Sequence, residues 1–293
     1  MTNRIRHRLV ALLVIVCAVV ALEQAFERLG ALALVRAPNA RRTIPPAESG
    51  ERRIDVGPPS ATLSVSVIEP RLPPRATIVV LHGIRDQKDF LRHVGLHLAE
   101  AGYRAVLVDS RGHGHSTGQY LTWGVQEPRD LTQVIDALGY GDGPIGVFGE
   151  SYGAAMSIMW AAHDPRVRAV VAVAPFSSLR EIVPDWWKLN VPLIGRMIPR
   201  FVLNRSIDEG ARMARFDPDA SSPKLAATRS RAPILIVHGS DDNTVPYDES
   251  VTIARAAPAT VKLVTLDGQD HDHIASDPRL MSLTLDFYSR VFK

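Results

Sequence analysis

Gly149-Glu150-Ser151-Tyr152-Gly153 stands between the apolar run Ile145 to Phe148 and a stretch with helical character, Ala154 to His163. A chain that must pass from a buried strand into a helix within so few residues has no room for side chains two positions either side of the turn. Glycine at 149 and 153 answers that requirement. The residue between them is then held in a strained backbone conformation with its side chain presented at the end of the strand. Here that side chain is the hydroxyl of Ser151, placed to act as a nucleophile.

Working outward from this turn, apolar β-branched runs alternate with helical periods. Thr62 to Ile68 alternates strictly, as a half-buried antiparallel strand does. Ala76 to Leu81, Ala105 to Val108, Ile145 to Phe148, Val167 to Val173, Ile234 to Val237 and Val261 to Leu266 are nearly continuously apolar, as strands covered on both faces are. Phe90 to Ala101, Pro128 to Leu138, Tyr152 to His163, Tyr247 to Ala256 and Pro278 to Val291 read as the intervening helices. The alternation predicts an α/β fold, a doubly wound sheet with right-handed crossovers.

A serine hydroxyl is a weak nucleophile near neutrality and needs a base, normally histidine, oriented by a carboxylate. In this kind of turn the partners follow in the order serine, acid, histidine. Two later strand ends carry the residue types required: His238-Gly-Ser-Asp241-Asp242-Asn-Thr-Val-Pro246 after Val237, and Asp267-Gly268-Gln-Asp270-His271-Asp272-His273 after Leu266. On residue type alone Asp241 competes with Asp242, and His273 with His271.

These motifs together resemble those of the α/β-hydrolase superfamily, in the branch shared by esterases, acyl hydrolases, serine aminopeptidases and prolyl-oligopeptidase-like domains. The resemblance covers about residues 60–293. It rests on Leu81-His82-Gly83, on Asp109-Ser-Arg-Gly-His-Gly-His-Ser116, on the Ser151 turn, on the H-G-x-x-D-x-x-V-P stretch and on the late G-x-x-H, all in the family's order. It implies the α/β-hydrolase fold, a mostly parallel sheet with a cap insertion after the sixth strand. It also implies Ser151 as nucleophile, Asp242 as the orienting acid and His271 as base. The backbone N–H groups of Ile84 and Tyr152 would form the oxyanion hole. Enzymes of this fold that open epoxides or remove halogen use an aspartate nucleophile, which Ser151 argues against.

One interval is too long for a simple crossover. About 58 residues separate Pro175 from Pro233, and they include Trp186, Trp187, Met197, Phe201 and Leu203. An apolar insertion over the carboxyl edge of the strands reads as a cap of residues 176–232, with Trp186 and Trp187 as candidate substrate contacts. An ordinary amphipathic helix packed on the domain is the plainer alternative.

The amino terminus has a separate character. Arg4, Arg6, His7 and Arg8 precede the 14-residue apolar run Leu9 to Leu22. Residues 1–37 therefore read as a secretory signal or an uncleaved membrane anchor, with Ala31-Leu32-Ala33 the nearest small-x-small cleavage candidate. Residues 38–60, rich in proline, read as a linker, and 61–293 as the catalytic domain. The expected location is membrane-anchored or extracytoplasmic.

The net charge of +3 is local to this end. Seven Arg and three Glu give the first 50 residues +4, which leaves the rest of the chain at −1 and gives no reason to expect a nucleic-acid partner. The single cysteine, Cys17, rules out an intramolecular disulfide. His113-x-His115 and His271-x-His273 lack the third ligand at a recognised hydrolase spacing, so neither a metal nor another cofactor is expected.

The chemistry expected is acyl hydrolysis of a small ester or related acyl substrate. Peptidase or aminopeptidase activity and acyl transfer use the same residues and stay open. A membrane-tethered binding protein that kept the fold without the chemistry is a third possibility.

Overall fold

A computed structural model describes residues 3–40, 43–191 and 193–293. Arg41 and Arg42 of the expected linker and Pro192 of the expected cap lie outside the described residues. Among the described residues eight strands form one sheet in the order β1-β2-β4-β3-β5-β6-β7-β8. They are β1 (Glu51–Val56), β2 (Ala61–Ile68), β3 (Thr77–Leu81), β4 (Arg104–Val108), β5 (Ile145–Glu150), β6 (Val167–Val173), β7 (Ile234–Gly239) and β8 (Val261–Leu266). β1 pairs antiparallel with β2 and β2 antiparallel with β4, whereas β4 through β8 are parallel.

Burial follows position in the sheet. Central β3 is buried at every residue and β5 at all but its last, Glu150, which is why their sequences are apolar without alternation. β1, at one edge, alternates until Ile54 and Val56 face inward. This strand occupies residues expected to be linker. Its hydrophobic alternation is short and carries two arginines, so only pairing with β2 makes it a strand.

Helices α2 (Arg92–Glu100), α3 (Glu127–Leu138), α4 (Tyr152–His163), α9 (Tyr247–Ala256) and α10 (Pro278–Val291) cover the two faces of the sheet. α4 is buried from Tyr152 through Ala161. A helix that is apolar on all sides must be enclosed on all sides, and α4 packs against β5, β6, α3 and α8 (Pro223–Arg229). Within the 176–232 interval, α5 (Leu179–Asn190), α6 (Ile194–Met197) and α7 (Arg200–Ala214) form the cap. α8 instead returns to the domain, with Ala226 and Ala227 buried against the core.

The amino-terminal segment forms one long helix, α1 (Asn3–Val35). Leu9–Val35 is long and apolar enough to cross a membrane. Its residues from Leu9 to Val16 are exposed, whereas Ala31 and Val35 are fully buried against the domain. The last turns of α1 are thus part of the fold, a placement that hydropathy alone does not show.

Candidate active site

The site lies beyond the carboxyl ends of the parallel strands, where loops from several strands converge. β5 ends at Glu150, paired with Val173 of β6, and α4 starts at Tyr152, so Ser151 is the whole of the turn. Its backbone has φ 50° and ψ −110°, and its N–H donates to Val173 O at 2.8 Å. The flanking glycines are required by contact. A Cβ on Gly149 would run into Gly153 O and Ser157 Oγ, and one on Gly153 into Leu81 O and His82 O. The turn sits in this position because its backbone touches the neighbouring strand end directly.

β7 delivers Asp242 and β8 delivers His271. His271 Nε2 lies 3.0 Å from Ser151 Oγ, and its Nδ1 lies 2.7 Å from Asp242 Oδ2. The other carboxylate oxygen of Asp242 accepts the backbone N–H groups of Thr244 and Val245 at 2.9 and 2.8 Å. Asp242 Oδ2 also lies 3.2 Å from Nε2 of the fully buried His238. That nitrogen faces Val245 O at 2.9 Å and Nδ1 faces Ser250 Oγ at 2.6 Å, which fixes His238 with its proton on Nε2. Burial works against ionisation of Asp242, but hydrogen bonds from His238 and His271 and the charge of His271 hold its pKa below the usual carboxylate range. In His271, burial disfavours the charged ring. The bond to Asp242, its charge, and the charges of Glu150 and Asp272 outweigh burial and raise the pKa above 6.5.

The competing candidates are placed elsewhere. Asp241 is exposed and accepts from Ser240 Oγ at 2.7 Å. His273 is exposed, with its ring on Asp270 at 2.8 Å. Neither reaches Ser151. Among the described residues no group of His, Cys, Asp and Glu is arranged to hold a metal ion.

The loop carrying Ile84 comes close to the serine, since a Cβ on Gly83 would stand 3.8 Å from that of Ser151. His82 fixes this loop: Ser110 N–H donates to its Nε2 at 3.0 Å, so Nδ1 carries the proton and donates to Gly83 O at 2.7 Å. On the other side, Tyr152 is anchored by its hydroxyl to Glu127 at 2.9 Å. Glu127 in turn accepts from Thr122 and from the Gly124 backbone, and the Trp123 ring packs edge-on to Tyr152 and Phe176. Glu127, Trp123 and His238 have no motif in the sequence beyond the histidine of H-G-x-x-D. They enter through the positions of their loops.

Above Ser151 lies a cavity of about 230 Å³ with walls that include Ile84, Trp123, Phe176, Ile182, Trp186 and Trp187. Trp186 and Trp187 thus border the same space as the serine, their rings edge to face at 6.0 Å. Glu150, beside the serine, has its pKa raised by burial, and further by Asp86 and Asp272 against the opposing effect of His271, to about 7.

Residues 72–216 match the family model described as "Serine aminopeptidase, S33". The chain is 29% identical to human protein ABHD12B over 73% of its own length and 60% of that protein's. It is 25% identical to a monoacylglycerol lipase of Mycolicibacterium smegmatis, over 74% of this chain and 88% of the lipase. An esterase of Pyrococcus furiosus superposes with a TM-score of 0.65 at 20% identity, covering 86% of this chain and 98% of the esterase. The chain spans about three-fifths of the length of ABHD12B, so what the whole of that protein does is not carried across. The parallel sheet, the glycine-flanked serine turn after its fifth strand and these similarities together make the chain a member of the α/β-hydrolase superfamily.

Proposed function

We propose that the protein cleaves a carboxylic ester through an acyl-enzyme intermediate on Ser151. The observation that carries this reading is the unbroken hydrogen-bonded series Ser151 Oγ, His271 and Asp242 at 3.0 and 2.7 Å, with the serine on the floor of an apolar cavity. His271 takes the hydroxyl proton as Ser151 Oγ attacks the carbonyl carbon, and returns it to the departing alcohol. Water then attacks the acyl carbon, with His271 again as base. Asp242 keeps the ring in the tautomer that leaves Nε2 free to accept. The Ile84 and Tyr152 N–H groups stabilise the oxyanion formed in both halves of the reaction. The exposed apolar stretch of α1 supports a location of this site beside a membrane.

The second reading is a peptidase, favoured by the description of the matching family and by Glu150, a carboxylate beside His271 that could meet a substrate amino group. The apolar cavity walls favour the ester. The decisive experiment is labelling of Ser151 by a fluorophosphonate, followed by turnover of p-nitrophenyl esters of increasing chain length beside aminoacyl anilides. Ser151→Ala should abolish labelling and lower turnover about 10⁶-fold. A folded wild-type protein that takes no label would end the hydrolytic reading of Ser151, and preference for anilides would replace ester with peptide.

A further inference from the structure

One wall of the cavity comes from neither the sheet loops nor the cap. Phe26, Gly30, Ala33 and Leu34 of α1 line it, and the Phe26 ring lies 5.7 Å from that of Trp187. The helix is fastened in place by three kinds of contact. A Cβ on Gly30 would stand 2.9 Å from Ser206 Oγ, and one on Gly210 3.0 Å from Val35 Cγ1, so small residues let α1 and α7 approach closely. Arg205 Nη1 donates to Glu23 Oε1 at 2.7 Å and to Glu27 Oε1 at 3.2 Å. At the helix end, where carbonyls lack partners of their own, Trp123 Nε1–H donates to Leu34 O at 3.1 Å and the Leu121 N–H to Val35 O at 2.7 Å.

These contacts advance in step along both helices, from Glu23 and Glu27 at Arg205 to Val35 at Gly210, so α1 and α7 run parallel. The start of α7 therefore lies toward the end of α1 where the apolar run Leu9 to Leu22 stops. Exposed apolar side chains gather on that side of the cap: Leu193, Met197 and Phe201 are 80%, 79% and 56% exposed. A 14-residue helical run is about 21 Å long, some 9 Å short of a hydrocarbon core of about 30 Å. Immersion of this cap edge would make up part of the difference.

We infer that α1 is both the membrane segment and a wall of the acyl-binding site. The substrate is an ester resident in the bilayer, whose acyl chain passes along the cap edge and lies against Phe26, Ala33 and Leu34 while its carbonyl is at Ser151. This rests on the reading of Ser151 as the acylated nucleophile. An acyl chain following this route exchanges one apolar environment for another without crossing water. Phe26, the nearest of the three to the apolar run Leu9 to Leu22, lies where the chain enters, and Ala33 and Leu34 lie further along its path. Cleavage at Ala31-Leu32-Ala33 would remove most of this wall, so α1 is retained in the active protein.

The test uses the full chain in phospholipid nanodiscs, with the ratio of p-nitrophenyl dodecanoate to p-nitrophenyl acetate turnover as readout. Ala33→Phe places a ring in the acyl path and should lower the ratio about tenfold or more. Phe26→Ala, which only removes atoms and decides the matter should Ala33→Phe fail to fold, should shift the preferred chain length upward. Leu29→Phe, on the outward face of α1 at 67% exposure, should leave the ratio unchanged. Wild-type ratios in both wall variants, with ester turnover intact, would overturn the inference and leave the Ser151 reading standing. A wild-type protein that hydrolyses neither ester and takes no fluorophosphonate label would end that reading and the inference with it.

Discussion

The floor and the roof of the cavity are built on different physical terms. The floor consists of Ser151, His271 and Asp242 at strand ends, held by hydrogen bonds of 2.7 to 3.0 Å and by backbone contacts that admit no Cβ at Gly149 or Gly153. The roof consists of α1, α5 and α7, held by apolar faces, small residues in close approach and exposed ion pairs such as Arg205 with Glu23. A directional network is lost when one member is changed, because its partners are left buried and unpaired. An apolar wall loses contacts roughly in proportion to the atoms removed. Changes to the floor should therefore affect every substrate alike, and changes to the roof should alter the choice among them.

After Ser151→Ala, the largest effect expected from the proposed mechanism is that of Asp242→Asn, a fall in kcat of about 10⁴-fold from loss of the correct His271 tautomer, with folding intact. Asp241→Asn should stay within about twofold, since that residue is exposed. The reverse result, read by steady-state kinetics on a short ester, would reassign the acid. Gly153→Ala drives a methyl group into Leu81 O and His82 O and should destabilise the domain by about 4 kcal/mol or more, measured by denaturant titration. A well-folded Gly153→Ala protein would show that the turn can relax, and the contrast between floor and roof would lose its main support.

Trp187→Ala removes a roof side chain in contact with Phe26 and should raise KM for long-chain esters about tenfold with short-chain esters little affected. A uniform loss over all chain lengths would instead make the cap part of the floor.

The smallest effect concerns pH. In the proposed mechanism His271 acts as base in its neutral form, so kcat/KM should rise with pH through a midpoint above 6.5. The charge of Glu150 favours the protonated ring, so Glu150→Gln should move that midpoint downward. Stability supplies an independent check. The Glu150 carboxyl, raised by burial from 4.5 to about 7, stays protonated in the fold where the unfolded chain has already released its proton. Stability is then lost as pH rises from the ordinary carboxylate range through about 7, and Glu150→Gln should raise Tm at pH 8 while leaving it unchanged at pH 4.

The contrast also explains how far the sequence could be read. The elbow, the central strands and the order serine, acid, histidine are local: each constraint is met within a few residues of the one that imposes it. Gly149 and Gly153 announce a turn wherever the chain is placed, and continuous apolar runs announce buried strands. Residue type alone leaves the acid open between Asp241 and Asp242, because adjacent residues in a loop point in directions that only the surrounding packing sets, and it is the family resemblance that points to Asp242. β1 was hidden in a proline-rich stretch, since a polar edge strand gains its identity from its partner.

By itself, then, the sequence determined a doubly wound hydrolase sheet, a serine at its carboxyl edge and the types of its partners, because backbone sterics and hydrophobic periodicity act over short range. Only the tertiary structure decided that His271 rather than His273 faces Ser151, and that Glu127 and His238 support the residues on either side of it. It alone brought Phe26 to Leu34 of α1, more than a hundred residues before Ser151, to the wall of its cavity. Those are questions of which surfaces meet, and their answer lies in the packing of the whole chain.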